Sequence, residues 1–589
     1  MAQHDLIIRG GTVVDGTGAT RRTADVAVND GVISEVGHLS GSTRREIDAD
    51  GALVAPGFVD IHAHYDGQAT WDERMQPSSW HGVTTVVFGN CGVGFAPVHD
   101  QDHDKLVELM EGVEDIPGAA LHEGLQWGWN SFGEYLDALE GPKDMNIAAQ
   151  VPHGALRLHV MGERGANRED ATDQDIATMG RLAAEGIAAG GLGFTTSRTS
   201  NHKTSTGDFT PTLTAAAREL IGIAEAVGRL NTGVFQLVSD FSDRDAEFQI
   251  FRDMCEVSGR PLSFTLVESP RSAGFHHDLL NRIETARADG LEITGQCPVR
   301  PIGILLGFEC TLNPFMRNPV WGEVADMAPA QRVAALGDPD RRQRLLQASG
   351  GVERDLVGGR IIEDFHNMFE MGEWPYYEPP PDQTVSRRAE ASGVSPAEFA
   401  LDLLLKHGGT NMLWLPLTNY GFMNLDGTRE LLTHEHTVPA LGDGGAHVGT
   451  ICDSSFPTTL LQHWGRDRPN NKIDLEFLVQ RQALDTARTV GLRDRGVLAP
   501  GYRADLNVID FDNLRVRGPE LAYDLPAGGR RVLQRADGYL HTIVGGEETY
   551  ASGEATGALP GRLVRGEQSA PAMARPHMAT GGATNGKGR

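Results

Sequence analysis

Two imidazoles stand two residues apart in Asp60-Ile61-His62-Ala63-His64. On an extended strand, residues i and i+2 face the same side, so His62 and His64 project together, which suits a divalent metal. Read alone, the pair could equally be two ordinary loop histidines. Cys91 stands in Phe88-Gly89-Asn90-Cys91-Gly92, among glycines that let backbone approach closely. Its thiolate would be a soft ligand, and the bland alternative is a buried core cysteine. Asp443 stands in Leu441-Gly442-Asp443-Gly444-Gly445-Ala446-His447. A carboxylate so placed can hold a metal or act as general base; the alternative is a turn-forming Asp.

Each of these residues needs a strand to deliver it. Eight apolar runs read as strands: Phe58–Ile61, Val83–Phe88, Ile147–Val151, Leu192–Thr195, Val234–Val238, Leu262–Val267, Leu291–Thr294 and Val438–Leu441. Helical apolar spacing intervenes, as in Leu279, Leu280, Ile283 and Ala286, and Ser395-Pro396-Ala397-Glu398 is a helix-capping signal. Eight strands alternating with helices predict an α/β fold, a (β/α)8 TIM-like barrel over about 58–490. His62, His64, Cys91 and Asp443 then all fall at carboxyl ends of strands, where barrel active sites sit. A long insert, about 306–385, interrupts the barrel and carries Pro379-Pro380-Pro381. Residues 1–57 and 491–560 read as short strands, with a hairpin signal at Asn29-Asp30-Gly31, and are expected to pair into one small β-sandwich domain. Two separate β caps are the alternative. Residues 561–589, with five basic residues and one Glu, read as a disordered tail.

The chain has 589 residues, and 52 Lys and Arg against 80 Asp and Glu leave a net charge of −28. That balance argues against nucleic acid and against an anionic membrane surface. No apolar run approaches the length of a membrane span, and Met1-Ala2-Gln3-His4-Asp5 lacks the start of a signal peptide. Five scattered cysteines, Cys91, Cys255, Cys297, Cys310 and Cys452, suit a reducing cytoplasm and exclude a disulfide framework. Partners are therefore expected to be small molecules, with a homo-oligomer left open.

The joint pattern is more specific than its parts. Val54-Ala55-Pro56-Gly57-Phe58-Val59-Asp60-Ile61-His62-Ala63-His64, Gly-Asn-Cys-Gly after the second strand, Gly-Asp-Gly at the eighth and Gly496 through Leu506 re-entering a β region together resemble the amidohydrolase superfamily. Within it the D-aminoacylase (N-acyl-D-amino-acid deacylase) family is similar, also at Gly82–Val87, His153–Arg157 with Met161-Gly162, and Val394–Glu398 leading into Ala400–Leu404. The resemblance spans most of residues 5–555. It implies metal-dependent hydrolysis of a carbon–nitrogen amide bond in a small molecule, an N-acyl D-amino acid or a related linear amide. It also implies that His62, His64, Cys91 and Asp443 bind or adjoin zinc and that Asp443 is the catalytic acid/base. The family completes a tighter metal site with one His on strand five and one on strand six. Gln236 and Thr265 fall there, so one ion, zinc or another divalent metal, is expected rather than two.

An N-acyl amino acid carries a carboxylate, which needs a cation or clustered donors. Arg198, Arg300, Gln236 and His447 are the substrate-binding candidates, with Lys203, His153 and His202 behind them. For the charged residues a structural ion pair is the competing reading. The family's tyrosine-containing segment is not seen in Ser197–Asn201, which leaves stereochemistry open. His276-His277 opens a helix and reads as surface. Two alternatives stand. One is a cyclic-amide hydrolase of the hydantoinase or dihydroorotase kind, which uses a carboxylated Lys on strand four where Gly190–Thr195 offers none. The other is a non-catalytic barrel protein.

Overall fold

A computed structural model describes residues 3–269, 272, 274–348 and 359–572. Eight parallel strands follow one another in the order expected: β1 Phe58–Ala63, β2 Val83–Phe88, β3 Asn146–Ala149 continued by Val151–Pro152, β4 Gly193–Arg198, β5 Val234–Ser239, β6 Leu262–Thr265, β7 Ile293–Cys297 and β8 Thr437–Pro439. Half of them are buried along their whole length and the rest along most of it, which is why they read as near-continuous apolar runs rather than as alternating ones. β1, β2 and the first part of β3 pair in one sheet, and the remainder of β3 through β8 in another. The two sheets do not close by strand pairing. β8 and β1 are instead joined beyond their ends, where Asp443 N–H donates to His62 O (3.0 Å) and His64 N–H to Gly444 O (2.7 Å).

Three helices bear on the argument below: α1 His103–Glu114 after β2, α2 Phe275–Ala288 after β6, and α3 Asp426–Thr433 leading into β8.

The two chain ends share one sheet. Leu53–Pro56 runs antiparallel to Leu506–Ile509, and from this joint the sheet extends through His4–Val13 on one side and Tyr539–Val544 on the other to nine strands. The hairpin forms at Asp30 and Gly31, whose φ values of 51° and 74° match the twist of the flanking strands. Gly10-Gly11 does not separate two strands as its glycines suggest; it is a bulge inside His4–Val13. Within 491–560, Arg515–Leu525 and Gly529–Asp537 pair with each other in a separate two-stranded sheet, so in place of the expected sandwich the two ends share one mixed nine-stranded sheet with its own apolar cluster of Leu6, Ile8, Val26, Val54, Leu506 and Val508.

The insert between β7 and β8 is larger than the sequence suggested. It opens with strand Gly303–Leu306 and closes with strand Met412–Pro416, which pair antiparallel with each other, and Met412–Pro416 pairs antiparallel with Phe369–Met371 on its other side. Leu306, Phe308, Trp321, Leu404 and Leu413 give it a core of its own. Residues 349–358 of the insert lie outside the described residues.

The expected disordered tail is corrected over 561–572. Gly561 N–H donates to Lys143 O (2.8 Å), Val564 N–H to Ile147 O (2.7 Å) and Gln568 N–H to Gly491 O (2.9 Å). Leu563 and Val564 are buried, and Glu567 pairs with Arg260. Two adjacent apolar residues inside a Gly- and Pro-rich stretch suffice to seat it against β3. Residues 573–589 lie outside the described residues.

Candidate metal centre

β1 delivers His62 and His64 to its carboxyl end, both buried. Cys91 follows β2 in a tight turn that requires glycine at position 89. Gly89 has φ 82° and a Cβ there would lie 2.4 Å from Gln150 O, while Cys91 itself has φ 55°. The side chain of Asn90 donates to Ile61 O, Ala63 O and Val87 O, which fastens this turn to β1. Asp443 follows β8 with φ 46°, and Gly445, next but one, has φ 86° with no room for a Cβ against His64 O. Strained backbone of this kind costs on the order of 1–3 kcal/mol per residue and persists where packing over-determines it.

The four side chains expected together are together. Cys91 Sγ lies 3.3 Å from His62 Nε2, and Asp443 Oδ1 lies 3.6 Å from His62 Nε2 and 3.8 Å from His64 Nε2. His62, His64 and Cys91 have ligand atoms within 4.8 Å of one another. The far nitrogen of His62 is held by Gln296: Nδ1 donates to Gln296 Oε1 (2.7 Å), and Gln296 Nε2 donates to Ser263 Oγ (2.9 Å). That contact places the proton on Nδ1 and turns the Nε2 lone pair towards Cys91 and Asp443.

Sequence reasoning missed Glu114. It ends α1, is buried, and sets Oε1 at 3.2 Å from His64 Nδ1 and Oε2 at 3.6 Å from His447 Nε2. The only signal was an acidic pair, Glu114-Asp115, at a helix end, which is ordinarily a solvated face. It also missed Gln296, one neutral amide on a strand.

Burial dominates the electrostatics. It pushes the Asp443 carboxyl well above its ordinary value, with Asp453 and Asp60 adding to the shift. It does the same to Glu114, helped by Asp443 and Asp66, and to the Cys91 thiol, helped by Glu114 and Asp443. Burial lowers His62 to about 4 and His447 to about 4. Acids, a thiol and neutral imidazoles thus face one another, and their mutual contacts include no Lys or Arg among the described residues. Asp443 Oδ1 and Glu114 Oε2 are buried with no hydrogen-bond partner. A cation would supply the missing counter-charge and favour the ionised forms, and two imidazoles, a thiolate and a carboxylate suit a divalent transition metal.

Of the substrate-binding candidates, Gln236 reaches the site: its Oε1 accepts from Cys91 N–H (3.0 Å) and its buried Nε2 has no partner. His447 borders it through Glu114. The two arginines do not serve. Arg198 is a fork on Glu247 (2.7 and 2.8 Å), and Arg300 is buried on Asp453 (2.8 Å) with its plane over Tyr377. Each has found a carboxylate on a neighbouring element, and that pairing spends the charge. On β6 the side chain that joins the network is Ser263, not Thr265. His153 is spent on Thr196 and Glu219, and His202 donates to or accepts from Ser197 Oγ (2.9 Å). Lys203 lies over the ring of Phe209.

The family model described as the amidohydrolase family matches residues 45–550, across the whole of this site. The chain belongs to the amidohydrolase family. This amidohydrolase is 31% identical to N-acyl-D-glutamate deacylase of Alcaligenes xylosoxydans xylosoxydans over 576 residues, 96% of this chain and 97% of that protein. D-aminoacylase of the same organism is 37% identical over 194 residues, and that match spans only 37% of its length. The solved N-acyl-D-glutamate deacylase of Bordetella bronchiseptica, complexed with zinc and a phosphonate inhibitor, has the same fold at a TM-score of 0.62 and 22% identity, covering 95% of the amidohydrolase and 99% of that chain. No helix among the described residues is long and apolar enough to cross a membrane.

Proposed function

We propose that this amidohydrolase removes the acyl group from an N-acyl D-amino acid, with one zinc ion held by His62, His64, Cys91 and Asp443. The observation that carries it is the convergence of these four side chains around a buried, unpartnered Asp443 Oδ1. The deacylase relatives support an N-acyl D-amino acid as substrate. A single ion is supported by Gln236 and Thr265 on β5 and β6, where neutral side chains replace the further imidazoles a second ion would need.

A divalent cation bound there would lower the pKa of water from 15.7 towards about 7 and polarise the scissile carbonyl. Asp443 Oδ1 accepts the proton of the attacking water and returns it to the leaving nitrogen, since an amine leaves only when protonated. Gln236 Nε2, a buried donor with no partner of its own, donates to the carbonyl oxygen as charge grows on it. The eight parallel strands in chain order support a closed (β/α)8 barrel over 58–490. The shared nine-stranded sheet with its own core supports one composite β domain of 1–57 with 491–560. Five buried, unpaired cysteines support a reducing, cytoplasmic setting.

Metal analysis with a screen of N-acyl-D, N-acyl-L and cyclic amides tests the reading. We expect one zinc equivalent at this centre, turnover of N-acyl D-amino acids, and a loss of about 10³-fold or more in kcat/KM for Asp443→Asn in a folded protein. Preferred turnover of cyclic amides would favour the hydantoinase-like reading, and full activity in Asp443→Asn would end the site assignment.

A further inference from the structure

His276 and His277 open α2, and Glu430 stands on the adjacent α3. The sequence suggests a surface pair, yet the fold brings both rings onto one carboxylate. His277 Nε2 lies 2.8 Å and His276 Nε2 3.6 Å from Glu430 Oε2, and one ligand atom of each residue lies within 4.8 Å of the other two. A plain His277–Glu430 ion pair would account for two of the three. It leaves His276 unexplained, because that ring is only 4% exposed and neither of its nitrogens has a hydrogen-bond partner. Folding ordinarily avoids a buried polar group without a partner, and such a group in a native structure points to an unrecorded ion or water.

Among the described residues the surroundings supply no donor to take that place. Glu268 packs its carboxylate against Gly427 of α3, where a Cβ would lie 2.7 Å from it, and Glu268 Oε2 is itself unpartnered. The patch therefore gathers two imidazoles and two carboxylates, and among the described residues the ion-pair contacts of Glu430 come from the two rings. The far side is open: the side chains of His277 and Glu430 are 54% and 46% exposed.

We propose that His276, His277 and Glu430 form a second transition-metal site, separate from the catalytic centre and accessible from solvent. Two neutral imidazoles with one carboxylate select Zn²⁺ and its borderline neighbours, Co²⁺, Ni²⁺ and Cu²⁺, over Ca²⁺ or Mg²⁺, which require mostly oxygen ligands. The ion gives His276 its missing partner and completes its coordination with water on the exposed side. It also cross-links α2 to α3, the helix that leads into β8 and so to Asp443.

The test titrates Zn²⁺ alone into the full chain, counts bound metal after dialysis, and follows the thermal midpoint. Wild type should take up one more equivalent than the His276→Gln/His277→Gln double variant, and Zn²⁺ should raise the midpoint of wild type only. Asp443→Asn should keep the extra equivalent, which separates this site from the catalytic one. If the double variant does not fold, Glu430→Gln, altered at a half-exposed position, should bind the extra ion at least tenfold more weakly. Equal stoichiometry and equal affinity in wild type and the folded variants would overturn the proposal.

Discussion

Cys91 and Asp443 both carry left-handed backbone, with φ of 55° and 46°, and both stand beside glycines. That coincidence is why they were legible. A polar residue inside a glycine-flanked turn at a strand end declares itself locally, as does His62-Ala63-His64. Glu114 and Gln296 declare nothing, because their roles come from what lies against them: His64 for one, and His62, 234 positions away, for the other. Arg198 and Arg300 failed in the opposite sense. A charge is visible in a sequence, but the partner that neutralises it, Glu247 or Asp453, is not. Gln296 allows a sharp test. It fixes the tautomer and aim of His62, so Gln296→Ala should weaken metal binding by about 10–100-fold, read by competition with a chelator. Unchanged affinity would mean that His62 needs no such partner.

The strands were the easiest elements to read, since parallel strands buried on both faces are continuous apolar runs. Their ends shifted by up to three residues, as with Leu291–Thr294 against the observed Ile293–Cys297. The insert was read too short because its first and last strands pair across more than 100 residues, and no local pattern records that pairing. One side chain ties the insert to the helix after β8. Glu378 accepts from His463 (3.0 Å), from Arg468 (2.9 Å twice) and from Leu425 N–H (3.0 Å). Burial alone would raise its pKa, but these hydrogen bonds bring it down to about 2 from an ordinary 4.5. A folded-state pKa below the unfolded one stabilises fully above about pH 4.5, and the benefit fades as pH falls towards 2. The contribution is on the order of 2–3 kcal/mol. Glu378→Gln should therefore flatten the fall in thermal midpoint between pH 5 and 3; parallel curves for the two proteins would show that this carboxylate is not part of the acid limb.

At the scale of the molecule, both chain ends are sewn to the central strands: Leu53–Pro56 onto Leu506–Ile509, and residues 561–568 along β3 and Gly491. Leu563, 6% exposed, anchors the second seam. Leu563→Ala should cost about 2–3 kcal/mol in urea unfolding while metal content at the catalytic centre stays the same. No loss of stability would make the seam a passive contact. Composition pointed the other way, since a Gly- and Pro-rich stretch reads as disordered until there is a surface to bury it against. The chain's periodicities and glycine-flanked polar residues were enough to specify eight strands and the four side chains of the candidate centre, because these depend on neighbours within a few positions. The pairing of Arg198 and Arg300 with acids, the turn of Glu114 and Gln296 towards the imidazoles and the meeting of His276 with Glu430 depend on contacts between distant segments. Those contacts exist only once burial has excluded water and left each polar group to find a partner in space.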